Sequence, residues 1–130
     1  MLLTATLAMV HAGGGEDGEK LQGSWMVSSG EKAGRKAPPE GFKAVRLTFT
    51  GSKFTWEAGK EVTEGTFSLD ATRTPKEITL RTGDKKLSGI YRLEGDELKI
   101  CAGRGDDRPT DFATEAGAKV LLIVLEREKP

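Results

Sequence analysis

Residues 87–101 read Leu-Ser-Gly-Ile-Tyr-Arg-Leu-Glu-Gly-Asp-Glu-Leu-Lys-Ile-Cys, and no other stretch restricts the fold of this chain as strongly. Leu87, Gly89, Tyr91 and Leu93 share one parity, Glu94-Gly95-Asp96-Glu97 can turn, and Leu98 and Ile100 resume the alternation. Two period-two runs joined by a short Gly/Asp turn form a β-hairpin, and the turn pins its register. A hairpin cannot bury both its faces alone, so other segments must complete the sheet.

The rest of the chain supplies such segments. The first strand is entered through Gly23 and runs through Trp25 and Val27. Residues 30–42 read as a loop, with a turn at Gly34 and Pro38-Pro39 preventing regular structure. Val45, Leu47 and Phe49 then share a face, and Gly51-Ser-Lys53 turns the chain into Phe54-Thr-Trp56. A second turn at 57–60 leads into residues 62–69, where a change of parity between Val62 and Phe67 predicts a bulge near Gly65. Residues 77–81 alternate again before the hairpin. Residues 103–119 form a long polar connection anchored by Phe112, and 120–125 (VLLIVL) are apolar on both parities, which predicts the most buried strand. The expected architecture is all-β: an antiparallel up-and-down β-barrel of about eight strands.

Composition bounds the function. A chain of 130 residues fits one domain, and 17 Gly with 5 Pro favour many turns over long helices. Twenty Lys+Arg against 20 Asp+Glu, interspersed, create no field for nucleic acid or acidic membrane. One Cys rules out an internal disulfide framework and a cysteine-rich zinc site, and the single His, His11, lies near the N-terminus. Residues 1–12 (MLLTATLAMVHA) are an apolar run ending in a small-residue cleavage site, too short to span a bilayer. They read as a secretory signal peptide, so the protein is expected to be exported, periplasmic or extracellular. Residues 13–20 are Gly-rich and polar and read as a flexible spacer, leaving 21–128 as the barrel domain.

No catalytic constellation emerges. Cys101 closes an alternating strand on the face opposite Leu98 and Ile100, where a buried inert thiol is expected, with no His in the barrel to activate it. Asp106, Asp107 and Asp111 lack the spacing of a calcium loop and stand beside Arg104 and Arg108. Arg104-Gly105-Asp106 spells an adhesion tripeptide, but so short a string recurs by chance. The serines lack a Gly-x-Ser-x-Gly elbow and a base. The expectation is a protein that is not an enzyme and uses no metal or cofactor.

Gly23-Ser24-Trp25 ahead of such a meander is similar to the Gly-x-Trp opening of lipocalin-like barrels. Further pieces are Leu21-Gln-Gly-Ser-Trp25, Leu47-Thr-Phe-Thr-Gly51 with Phe54, Thr74-Pro-Lys76, Gly89-Ile-Tyr91 with Gly95-Asp96, and Arg108-Pro109 with Phe112. In this order they resemble a small lipocalin-like domain family of planctomycete bacteria to which no activity is attached. The resemblance implies a fold and a bacterial origin. It also implies that Trp25 closes the barrel base beneath an Arg stacked on its ring, with Arg127 the first candidate and Arg108 the second. Gly23 would let the chain approach where a Cβ would clash.

The aromatic set Phe49, Phe54, Trp56, Phe67 and Tyr91 could line a cavity, although so many large side chains favour a filled interior. The preferred functional reading is a non-catalytic, exported, monomeric binding module that meets an unidentified protein partner through loops 30–42 and 103–119. A carrier of a small apolar ligand inside the barrel is the alternative. Neither reading involves nucleic acid or a membrane span.

Overall fold

The structure is a computed structural model that describes residues 15–32, 34–36, 45–114 and 119–128. The expected signal segment and residues 33 and 37–42 of the expected loop 30–42 lie outside the described residues. Residues 30–32 and 35–36 of that range are strand and not loop, because Glu31 and Lys32 pair with Lys36 and Arg35. A short helix α1 (Gly15–Leu21) is followed by nine strands: β1 (Gly23–Lys32), β2 (Arg35–Lys36), β3 (Val45–Thr50), β4 (Lys53–Ala58), β5 (Glu61–Asp70), β6 (Glu77–Thr82), β7 (Lys85–Glu94), β8 (Glu97–Arg104) and β9 (Val120–Arg127). From β3 to β9 each strand pairs antiparallel with the next, β3 pairs with β1, and β9 returns to β1. The result is a closed, eight-stranded, antiparallel up-and-down barrel. β2 stands outside it, paired with the end of β1 through Glu31 and Lys32.

Four of the connections are two-residue turns, Gly51-Ser52, Gly59-Lys60, Gly83-Asp84 and Gly95-Asp96. Each begins with a glycine at φ of 59–65°, a backbone region that L side chains avoid and that matches strand twist in tight hairpins. The organising hairpin is β7–β8, in register from Leu87 opposite Arg104 to Glu94 opposite Glu97.

Alternation sends one parity of every strand inward. The inward set includes Trp25, Leu47, Phe49, Phe67, Ile78, Tyr91, Leu98 and Leu125, each at most 3% exposed. Burying a large apolar side chain contributes roughly 1.5–3 kcal/mol, so this set is a major source of the fold's stability. Phe49 and Phe67 meet edge to face, with centroids 4.8 Å apart and planes at 67°.

Several local expectations give way. Residues 15–21, read as part of a flexible spacer and the entry into the barrel, form α1, because Asp17 and Leu21 find partners distant in sequence. β5 pairs with β4 without a shift from Glu61 to Thr66 and with β6 from Thr66 to Asp70, so no bulge occurs at Gly65. Val62 simply points outward, 55% exposed, while Thr63, Gly65, Phe67 and Leu69 keep one inward parity. Gly65 answers a close approach instead: a Cβ there would lie 2.0 Å from the Arg81 carbonyl oxygen. The bulge sits in β1, where the register with β9 shifts between Val27 and Ser29.

β9 is also not the most buried strand. Its outward residues Leu122 and Val124 are only half-buried, and Leu121 is 39% exposed. The strands covered on both faces are β7 and β8. Their outward Ser88, Ile90 and Cys101 are buried beneath residues 105–114, which fold back against the barrel wall.

Candidate functional site

The two ends of the barrel differ. At one end lie the turns Gly51-Ser52 and Gly95-Asp96, and α1 lies across it. Gln22, just after α1, accepts from the Gly51 amide at 2.7 Å and donates to the Gly51 carbonyl at 3.0 Å. Trp25 is fully buried there, and its Nε1 donates to the Leu21 carbonyl at 2.9 Å. The Arg127 guanidinium carbon stands 4.3 Å from the Trp25 ring centroid, over its face. Arg127 also donates to the carbonyls of Gln22 and Lys20 and lies 3.3 Å from the Asp96 carboxylate. This end is closed by an indole, a guanidinium and a helix that share hydrogen bonds.

Gly23 occupies φ +112°, and a Cβ built on it would come no nearer than 3.5 Å to Arg127. That is an ordinary contact. The need for glycine is conformational, and the close approach expected from the sequence is absent. Arg108 lies elsewhere, on the outer wall. It donates to the carbonyls of Ile78 (3.0 Å) and Gly89 (2.7 Å) and to Thr79 Oγ1 (3.0 Å), and lies 3.5 Å from Glu77. It therefore fastens the 105–114 segment to β6 and β7 and has no part in covering Trp25.

A buried carboxylate that sequence reasoning missed completes the closed end. Asp17 of α1 accepts from the Tyr91 hydroxyl at 2.6 Å and from Lys76 Nζ at 3.0 Å. Burial alone would raise its pKa, but the Tyr91 hydrogen bond and the Lys76 ammonium outweigh that and hold the carboxyl below its usual range. Burial, then the hydrogen bond to Asp17, pushes the Tyr91 phenol far above its own. Nothing in the local sequence around Asp17 announced this, because its partners lie 59 and 74 residues away.

The opposite end is hollow. Between the packed closed half and the turns Gly59-Lys60 and Gly83-Asp84 lies a cavity of about 260 Å³. Its floor is made by Leu47, Phe54 and Ile100, and its wall by Trp56, Leu80, Ala102 and Ile123. Thr63, Thr82, Leu87 and Leu121 complete the lining. No ionisable group is among these residues. The Thr82 hydroxyl is taken up by the Glu64 carbonyl at 2.9 Å. Leu87 and Leu121, 38% and 39% exposed, and Thr63, also exposed, mark where the cavity meets solvent.

Of the aromatic residues expected to line a cavity, only Phe54 and Trp56 do so. Phe49, Phe67 and Tyr91 fill the closed half. The interior is thus filled at one end and hollow at the other, where inward positions are taken by small residues such as Ala58, Thr63 and Ala102.

Cys101 is buried on the outer face of β8, with Sγ 4.0 Å from the Ala113 carbonyl, and burial pushes its thiol pKa up. Asp106 is tied to Lys86 at 2.6 Å. Among the described residues, no group of three His, Cys, Asp or Glu side chains is arranged to hold a metal ion, and no helix is long and apolar enough to cross a membrane. Compared with known proteins, the chain matches no family model, no curated protein and no solved structure. What stands of the resemblance drawn from its short sequence pieces is the eight-stranded antiparallel barrel.

Proposed function

We propose that this barrel is a non-catalytic binding protein that holds a small apolar molecule in its open half. The observation that carries the reading is the 260 Å³ cavity, lined by apolar side chains and two threonines, with a solvent-facing lip. An apolar cavity of about 150 Å³ already takes up benzene, and drug-sized ligands occupy roughly 300 Å³ or more. The occupant therefore falls between the two. The alternative reading, protein recognition through rim loops, loses support from the 103–119 connection. Residues 105–114 of that segment are bonded down along the wall through Ser88, Arg108 and Thr114.

Titration with N-phenyl-1-naphthylamine, a neutral apolar dye, tests the proposal. Saturable fluorescence enhancement at one dye per chain is expected, with energy transfer from Trp56. Ala102→Phe, which fills the cavity from its wall, should abolish the signal while leaving the circular dichroism of the barrel unchanged. Dye binding that does not saturate, or that survives Ala102→Phe intact, would sink the reading.

A further inference from the structure

The mouth of the cavity is not neutral. In a two-period strand, residues two apart share a face, and residues directly opposite across an antiparallel pair do too. Lys32 lies opposite Leu121 and so belongs to the inner face of β1 at the mouth. Arg104 lies opposite Leu87, which places it on the inner face of β8. Lys85 precedes Leu87 by two residues on β7. All three are exposed and, among the described residues, none of their side chains is ion-paired. Lys119 immediately precedes β9.

Neighbouring outward residues behave differently. Lys86 is spent on Asp106, and Glu31 accepts from Thr114 at 2.7 Å. The strands β7, β8, β9 and β1 are contiguous in the closed barrel, so the three cations form an arc along one side of the opening. Leu87 and Leu121, the exposed apolar residues of the cavity lining, lie on that same side, and exposed Thr63 lies across from them. Among the described strand residues, the carboxylate on the inner parity at this end is Glu61 of β5, opposite Ala58 of β4 and across the mouth from the arc. In the turns of this end Asp84 adjoins Lys85 and Lys60 adjoins Glu61, so the arc is a property of the inner-parity strand residues and not of the whole rim.

We infer that the occupant is a single-chain amphiphile with an anionic headgroup, an inference that rests on the cavity being the binding site. Its hydrocarbon tail enters past Leu87 and Leu121 to the floor at Phe54 and Ile100. Its headgroup stays at the mouth against Lys32, Lys85 and Arg104. The division follows from desolvation. The cavity offers no partner for a charge, whereas the arc offers three cations in contact with water. An exposed ion pair is worth little, up to a factor of about five in affinity, so the arc sets headgroup preference and the tail supplies most of the binding.

Three ligands with the same tail separate the contributions: sodium decanoate, 1-decanol and decyltrimethylammonium, each titrated by calorimetry at low and high salt. Decanoate is expected to bind about fivefold more tightly than decanol at low salt, and the cation more weakly than either. High salt should bring the three together as the Debye length shrinks. The triple variant Lys32→Glu, Lys85→Glu, Arg104→Glu alters only exposed side chains and should reverse the order while decanol binding holds. Equal binding of decanoate and decanol to the wild type, or a decanoate preference that survives the triple variant, overturns the inference and leaves the apolar site standing. Failure of all three ligands to bind overturns both.

Discussion

Trp25 holds an apolar and a polar link in one side chain. Its ring packs into the closed half of the barrel and meets Arg127 at 4.3 Å, while its Nε1 binds the Leu21 carbonyl of α1. Trp25→Ala removes a fully buried indole and should cost about 3–5 kcal/mol, as large-to-small core changes do. Arg127→Ala should cost less, about 1–2 kcal/mol, from a partly desolvated cation–π contact. Urea melts of both variants measure the two losses, and a Trp25→Ala midpoint near the wild type would contradict this account of the closed end. Trp25 and Arg127 were legible in the sequence as a Gly-x-Trp opening and an Arg just past the last apolar run. Asp17 was not, for its environment is made by Tyr91 and Lys76, which no local pattern connects to it.

At the scale of elements, the eight barrel strands were readable because each bears its own period-two pattern and each tight turn its own glycine, whereas β2, two residues inside an expected loop, was not. α1 was not. Seven residues containing two glycines are too few to hold a helix in water, so its order comes from contacts with the barrel. That makes its docking sensitive to pH. Asp17 is held below its ordinary value, so its contribution is fully present above about pH 4 and is lost as pH falls through the lowered folded value. Tyr91 is raised, so its contribution is full below about pH 10 and is lost as pH rises beyond that. Protection factors for the Leu21 and Gln22 amides should therefore drop on acidification below pH 4 ahead of those in β7. Asp17→Asn should remove that acid step. Equal protection of α1 at pH 3 and pH 7 in the wild type would contradict the assignment. The hollow of the open half was unreadable for a related reason. Whether inward side chains fill a barrel depends on which residues share a level across eight strands, and that register is set by the whole ring.

For the molecule as a whole, the closing seam between β1 and β9 has a kinetic consequence. Four of the eight barrel pairings join neighbours in the chain through turns of two residues, but Arg127 bonds to carbonyls 105 and 107 residues away. The entropic cost of bringing chain ends together grows with the length of the loop, so local hairpins gain their contacts before the seam does. Contacts formed after the transition state affect the rate of leaving the native state and hardly the rate of reaching it. Stopped-flow folding of Arg127→Ala should show faster unfolding and a nearly unchanged folding arm, whereas folding slowed in proportion to the lost stability would mean that the seam forms early. A barrel of this kind is held shut by its slowest contact, and its native lifetime is set where its first and last strands meet.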